Sequence, residues 1–396
     1  MTRGEALLAE LSSRISLVLQ EQRRPVALHE PELGQREQEQ LLRCLATGYV
    51  SAVSEQVSLL ETELARTASV RHAVAVISGT AALHLALLAA GVTAGDEVIL
   101  PALTFVATAN AVAYCGAIPH FADSSLPDLG LSPEKLERHL ADETEMARGR
   151  CRNRRTGRTI RALVAVHVLG HPADLPALSA ICRKHRLALV EDAAAALGSH
   201  RDGIPCGSWG RTAAISFNGN KIITTGGGGA MLTDDDELAA AARHLAAAAK
   251  QAHPWRYEHT AVAFNYRMPG LNAALGLAQL ERLEDSLVRK RRLARSYREA
   301  MRGVTGAKML VEPRRARSNY WLNALLLEPG RESLLQPLLE RLHGEGILAR
   351  PLWTPLHQLT MYRKCPRMDL SGTESLCART VCLPSSPHLE GRRDGG

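Results

Sequence analysis

The sequence predicts an α/β protein with a mostly parallel sheet, followed by a smaller C-terminal α+β domain. Between residues 73 and 190, short apolar runs alternate with helical periodicity, the strand-helix-strand order that builds a parallel sheet with helices on both faces. At 396 residues and 45% apolar, the chain can bury a large core and exceeds one average domain. After residue 234 the regular alternation gives way to a long Ala-rich helix, a polar loop and mixed strands and helices. The expected division is a helix and arm over 1–34, a large α/β domain over 35–260 and a small α+β domain over 261–396.

Composition narrows the function. No stretch reaches the roughly 18 apolar residues of a membrane span, and Met1 to Arg24 mixes Arg and Glu among its leucines, unlike a signal sequence. A soluble, cytoplasmic protein without membrane partners is expected. The eight cysteines are dispersed with no C-x-x-C pair, so neither a metal site nor a disulfide framework is suggested. The net charge of +7 is spread out, with clusters only at 148–161 and 289–295. The first reads as an exposed loop and the second as a solvated helix face. Four phenylalanines and no aromatic-basic interleaving argue against nucleic-acid binding.

Taken in order, residues 35 to 68 give two helical patterns broken at Gly48-Tyr49-Val50-Ser51. Ala73 to Ile77 is a continuous apolar strand, and Ser78-Gly79-Thr80 leads into a helix over 81–90. Such a helix start presents open N–H groups and two hydroxyls to an anion, or is simply capped by Ser78 or Thr80. No nucleotide P-loop or dinucleotide fingerprint occurs. Strand 97–100 ends at Pro101, and Phe105 stands at the mouth of the following loop, to pack in the core or to face a ligand. Strands follow at 117–121, 161–168 and 187–190, the last running into Glu191-Asp192. An acid there sits at the carboxyl edge of the sheet, where open α/β sheets bind ligands, or caps the Ala-rich turn that follows.

Residues 213 to 234 place one lysine, Lys221, between two apolar strands fenced by Asn218 to Asn220 and Gly226 to Gly229. Enclosed, its amine would be a usable nucleophile near neutral pH; in an ordinary hairpin it would reach solvent. Beyond it, a helix over 238–249, the segment Phe264 to Pro269, a helix from Leu271, a strand over 320–327, a helix over 333–345 and a strand over 347–349 are expected. Residues 388 to 396 are expected to fray.

A phosphate-ready helix start, an aromatic at a loop mouth, an acid after a strand and a sequestered lysine, in that order, suit a pyridoxal 5'-phosphate enzyme. From Leu28-His29-Glu30-Pro31 to Leu383-Pro384-Ser385-Ser386 the chain resembles the DegT/DnrJ/EryC1/StrS sugar aminotransferases, of fold type I like aspartate aminotransferase. Gly48 to Ser51, Pro101 to Thr108, Ser216 to Lys221 with Thr224 to Gly229, and Pro366 to Leu370 make it similar to the legionaminic-acid type. The resemblance implies pyridoxal phosphate anchored on Lys221, with Asp192 on the ring nitrogen and Phe105 on the ring face. It puts Ser78, Gly79, Thr80 and Ser216 at the phosphate, and Asn265 and Arg267 at the site of a partner subunit in a homodimer with shared active sites. Arg350, Trp353 and His357 are candidate substrate contacts.

The implied reaction moves an amino group from L-glutamate to a nucleotide-linked 4-keto-6-deoxy-N-acetylhexosamine. One position departs from the pattern: Ala195 stands where the family usually has a polar residue near the cofactor's phenolic oxygen. Two other readings remain. A fold type I lyase or desulfurase would want a cysteine in a mobile loop, and a non-catalytic regulatory homologue would not need Lys221 and Asp192 together.

Overall fold

The computed structural model describes residues 2–390. Its centre is a seven-stranded sheet of β1 (His72–Val76), β2 (Glu97–Pro101), β3 (Ile118–Ala122), β4 (Ile160–Val166), β5 (Ala188–Asp192), β6 (Thr212–Ser216) and β7 (Gly229–Thr233). The strand order is β1-β7-β6-β5-β4-β2-β3, and every pairing is parallel except those of β7. The sheet is thus mostly parallel, as the sequence predicts. Both faces are covered: Val74, Val76, Leu100, Val164 and Val190 pack on one side, Ala73, Ala75, Ile99, Leu163 and Leu189 on the other. That explains why the strands read as continuous apolar runs with no alternation.

The helices are α1 (Arg3–Val18), α2 (Gln35–Thr47), α3 (Glu55–Ala68), α4 (Gly79–Ala89), α5 (Ala107–Tyr114), α6 (Pro133–Glu143), α7 (Leu175–His185), α8 (Asp236–Ala246), α9 (Gly270–Glu281), α10 (Leu283–Ala300), α11 (Leu335–Gly344) and α12 (Ser371–Cys377). A second sheet joins β8 (Ala307–Met309), β9 (Asn323–Leu327), β10 (Arg350–Pro351) and β11 (Thr380–Leu383) in the order β8-β9-β11-β10, all antiparallel. Its core takes Leu325, Leu327, Val381 and Leu383 together with Leu11, Ile15 and Leu19 from α1 and its end. The N-terminal helix therefore packs with the C-terminal sheet. Helix α9 packs against α2 and α3, and α10 bridges the two cores, with Leu287 in the large one and Leu293 and Tyr297 in the small one.

Several local expectations shift. The basic stretch 148–161 is not simply a loop, because Thr144–Ala147 and Arg150–Asn153 pair as an antiparallel hairpin turning at Arg148-Gly149. Residues 347–349 are not a strand of the second sheet; Ile347 bridges to Val26 of the N-terminal arm, and the strand begins at Arg350. Residues 388–390 do not fray, since Pro387–Leu389 forms a short helical turn and Leu389 is buried; residues 391–396 of that stretch lie outside the described residues.

Candidate active site

The carboxyl ends of β4, β5 and β6 open into a cavity of about 360 Å³, closed above by the starts of α4 and α5. Register fixes one wall. Gly229 is opposite both Val76 of β1 and Ser216 of β6, so the turn after β1 lies directly over the end of β6. Side chains at the contact would collide: a Cβ on Gly79 would stand 2.6 Å from Ser216 Cβ, and one on Gly229 would stand 2.7 Å from the Gly79 amide nitrogen. The glycines leave the first turn of α4 open. Ser78 caps that helix, accepting from the Ala81 N–H at 3.1 Å, and Ser78, Gly79, Thr80 and Ser216 all line the cavity. Unpaired N–H groups and the positive helix end make this a cup for a phosphate-sized anion.

Asp192, the last residue of β5, is buried beside it. Its Oδ2 accepts from Thr108 Oγ1 at 2.7 Å and its Oδ1 from the Ala194 amide at 3.2 Å. Thr108 Oγ1 in turn lies 3.0 Å from Thr104 Oγ1, so the first turn of α5 fixes the orientation of the carboxylate. The neighbouring Glu191 faces the other way. It accepts from the amides of Gly207, Trp209 and Gly210 and from His167 Nε2, whose Nδ1 accepts from the Ala173 amide. Of two adjacent acids, one is consumed by structure and the other is presented to the cavity.

Lys221 enters from the turn between β6 and β7. Desolvation on burial brings its pKa down from 10.5 to about 8, against the pull of Asp192, which favours the charged form. Its Nζ lies 3.9 Å from the centre of the Trp321 ring, and Trp321 Nε1 donates to the carbonyl of Asn220 at 2.7 Å. Phe105 stands half-exposed at the mouth with Trp353, ring centres 6.3 Å apart.

The fold thus brings Ser78, Gly79, Thr80, Phe105, Asp192, Ser216, Lys221 and Trp353 around one cavity. Four expected site residues are not among its walls. Asn265 and Arg267 are exposed on a segment bonded to the end of β1, through the Ile77 amide to the Tyr266 carbonyl. Arg350 is exposed at the edge of the second sheet, and His357 is buried with Nε2 at 2.9 Å from Glu374 Oε1. Thr104, Thr108 and Trp321 were not singled out from sequence; the i, i+4 spacing of the two threonines at a helix start was the available signal for that pair. At Ala195 the backbone carbonyl accepts from Asn319 Nδ2, at 2.9 Å.

An amine kept reactive across from an oriented carboxylate, with an anion cup beside them, fits pyridoxal 5'-phosphate, and the sheet around it is that of a fold type I pyridoxal phosphate-dependent enzyme. None of the eight cysteines lines the cavity. Residues 31–393 match the family model described as the DegT/DnrJ/EryC1/StrS aminotransferase family, and the chain belongs to that family. It is 35% identical over 365 residues to the GDP-perosamine synthase of Vibrio cholerae, covering 92% of this chain and 95% of the relative. It is 31% identical over 383 residues to the dTDP-4-dehydro-2,3,6-trideoxy-D-glucose 4-aminotransferase of Saccharopolyspora spinosa, covering 92% and 93%. Among solved structures, that of DesI with its TDP-sugar product superposes with a TM-score of 0.80 at 31% identity, covering 91% and 88%. The protein is a pyridoxal phosphate-dependent aminotransferase. Among the described residues no helix is long and apolar enough to cross a membrane, and no cluster of side chains is arranged to hold a metal ion.

Proposed function

We propose that the enzyme transfers an amino group from L-glutamate to C4 of a nucleotide-linked 4-keto-6-deoxy-N-acetylhexosamine in the cytoplasm. The product would be a 4-amino sugar nucleotide for surface-glycan or nonulosonic acid biosynthesis of the legionaminic-acid type. The observation that carries the transaminase chemistry is Lys221, an amine with a pKa of about 8 sharing one cavity with Asp192 and the glycine-lined cup. Amination at C4 is supported by the relative named as a 4-aminotransferase, and a nucleotide-linked acceptor by that relative and by the structure holding a TDP-sugar. The N-acetylhexosamine rests on the sequence motifs quoted above.

Pyridoxal phosphate, when bound, supplies an aldehyde for amine exchange and a ring that accepts electron density. In this reading Lys221 Nζ anchors it, then takes the proton from Cα of the amino donor and returns one at C4 of the sugar. A pKa near neutrality suits both directions. Asp192 would hold a positive charge on the ring nitrogen, Phe105 would cover the ring, and Ser78, Gly79, Thr80 and Ser216 would hold the phosphate. Trp353 lines the entrance, with Arg350 and His357 as contacts further out.

Asn265 and Arg267 serve the cavity of a second subunit. Both are exposed and make no side-chain bond within the chain among the described residues. Their segment hydrogen-bonds to Ile77 and Ala75, and the start of α9 that follows bonds to Ser51 and Val50, in a region that leaves Tyr49, Val53 and Ile77 exposed. Such an apolar flank beside two unpaired polar residues suits a dimer interface.

A second reading is a GDP-linked acceptor, favoured by the Vibrio cholerae relative named as a GDP-perosamine synthase. Mass spectrometry of the holoenzyme with glutamate and a panel of UDP-, GDP- and dTDP-4-keto sugars tests both. Conversion of a UDP-4-keto-6-deoxy-N-acetylhexosamine is the expected result, conversion of a GDP-hexose alone selects the second reading, and no conversion of any 4-keto sugar overturns both.

A further inference from the structure

A second cavity, of about 400 Å³, lies at one lateral edge of the sheet, against its edge strand β3. Its walls come from three separate stretches: the end of α6, the turn after the basic hairpin, and the extended segment 364–369. Arg155, Arg158, Lys364 and Arg367 converge there, against only two carboxylates, Glu143 and Asp369. Glu143 is occupied by Arg155 at 2.5 Å. Arg158, Lys364 and Arg367 have no carboxylate within 4 Å among the described residues; Arg367 Nη1 donates to the Arg363 carbonyl at 3.2 Å. Gathered like charges repel, and an anion placed among them would relieve that repulsion.

The cavity is braced from behind. Glu97, the first residue of β2, is fully buried and binds the end of the hairpin through Asn153 Nδ2 at 2.9 Å and the turn after it through Thr156 Oγ1. The same carboxylate binds His120 Nδ1 at 2.8 Å, and His120 Nε2 lies 2.9 Å from His139 Nε2 at the cavity floor. On the far wall, segment 364–369 is tied to β3 by bonds from the Phe121 amide to the Pro366 carbonyl and from the Met368 amide to the Phe121 carbonyl. The backbones that carry Arg158 and Arg367 are therefore held in place before any ligand arrives, which lowers the ordering cost of binding. His139 Nδ1 makes no bond among the described residues, which leaves one more polar group at the floor.

We propose that this cavity is a binding site for a small, multiply charged oxyanion, distinct from the catalytic cavity. Arg158, Lys364 and Arg367 are its charged donors, with Glu97, Asn153 and Thr156 as the brace that positions them. Guanidinium groups match phosphate and carboxylate oxygens equally in geometry, so the shared chemistry is a compact di- or trianion carrying such oxygens. The volume is near the lower end of the roughly 300–1,000 Å³ of small-molecule pockets. This assignment also gives the basic hairpin a purpose that the transamination site does not.

Calorimetric titration of the pyridoxal phosphate-loaded enzyme, at fixed ionic strength, with inorganic pyrophosphate and separately with citrate tests this. Loading keeps the phosphate cup occupied. At least one of the two anions should bind, and Arg158→Ala/Lys364→Ala should weaken it about tenfold or more, the scale of losing one charge-assisted contact. Pyrophosphate alone identifies a phosphate ligand, citrate alone a carboxylate, and both a general oxyanion site; each supports the assignment. Both replaced residues are exposed, and a thermal unfolding curve like that of the wild type shows the variant intact. Binding of neither anion, or binding unchanged in the folded variant, overturns it.

Discussion

Lys221 is an amine that the folded chain holds at a disadvantage when charged. Below a pH of about 8 it is protonated in both folded and unfolded chains, and folding bears the full desolvation penalty. Between about 8 and 10.5 only the unfolded chain keeps the proton, so stability rises with pH, and above 10.5 the difference is gone. At about 1.4 kcal/mol per pH unit, that interval sets an upper figure of about 3.5 kcal/mol. Cofactor-free Lys221→Met is therefore expected to be more stable than cofactor-free wild type at pH 7 by up to about 3.5 kcal/mol, with the advantage fading towards pH 10.5. Urea unfolding across pH measures this, and equal stability at pH 7 would show that the amine is well solvated. Asp192→Asn keeps the acceptor for Thr108 but removes the charge, so turnover should fall about 100-fold or more while the fold and much of the cofactor remain. Near-normal kcat in the cofactor-saturated variant would contradict this. Both residues are legible in sequence because Asp192 ends an apolar strand and Lys221 lies in the turn between two of them. Thr108 is not, because its bond to Asp192 spans 84 residues, and neither is Trp321, which meets Lys221 only when the second sheet folds back over the turn.

At the scale of elements, the cup depends on α4 lying hard against the end of β6. Gly79→Ala would push a methyl to 2.6 Å from Ser216 Cβ, so one element must shift. The expected loss is about 1–3 kcal/mol of stability, with weaker cofactor binding. Thermal unfolding and cofactor titration together check it, and a variant equal to wild type in both would mean that the two elements are not held rigidly together. The parallel strands were readable because both faces of the sheet are buried, giving unbroken apolar runs. The hairpin at 144–153 was not, since its arginines and glycine give no apolar periodicity and its anchor, Glu97, lies outside the segment. For the same reason residues 347–349 passed for a strand of the second sheet: three apolar residues in a row look alike whether they pair with that sheet or with Val26 of the arm.

For the whole molecule, chain order misleads where distant segments share a core. Helix α1 belongs with β9 and β11, and α10 joins both cores, facts carried by packing between residues some 300 apart. The proposed composite sites make their own demand at this scale. Inactive Lys221→Ala chains mixed with inactive Arg267→Ala chains should regain part of the activity, since a mixed dimer holds one site with both lesions and one with neither. Verified exchange without recovery would place the role of Arg267 in its own subunit. Beneath all of this lies the claim that Lys221 is the amine that carries the cofactor, and borohydride reduction of the pyridoxal phosphate-loaded enzyme followed by peptide mapping addresses it most directly. A single pyridoxyl adduct on the peptide containing Lys221 is the predicted result, and an adduct on another lysine, or on none, would contradict it.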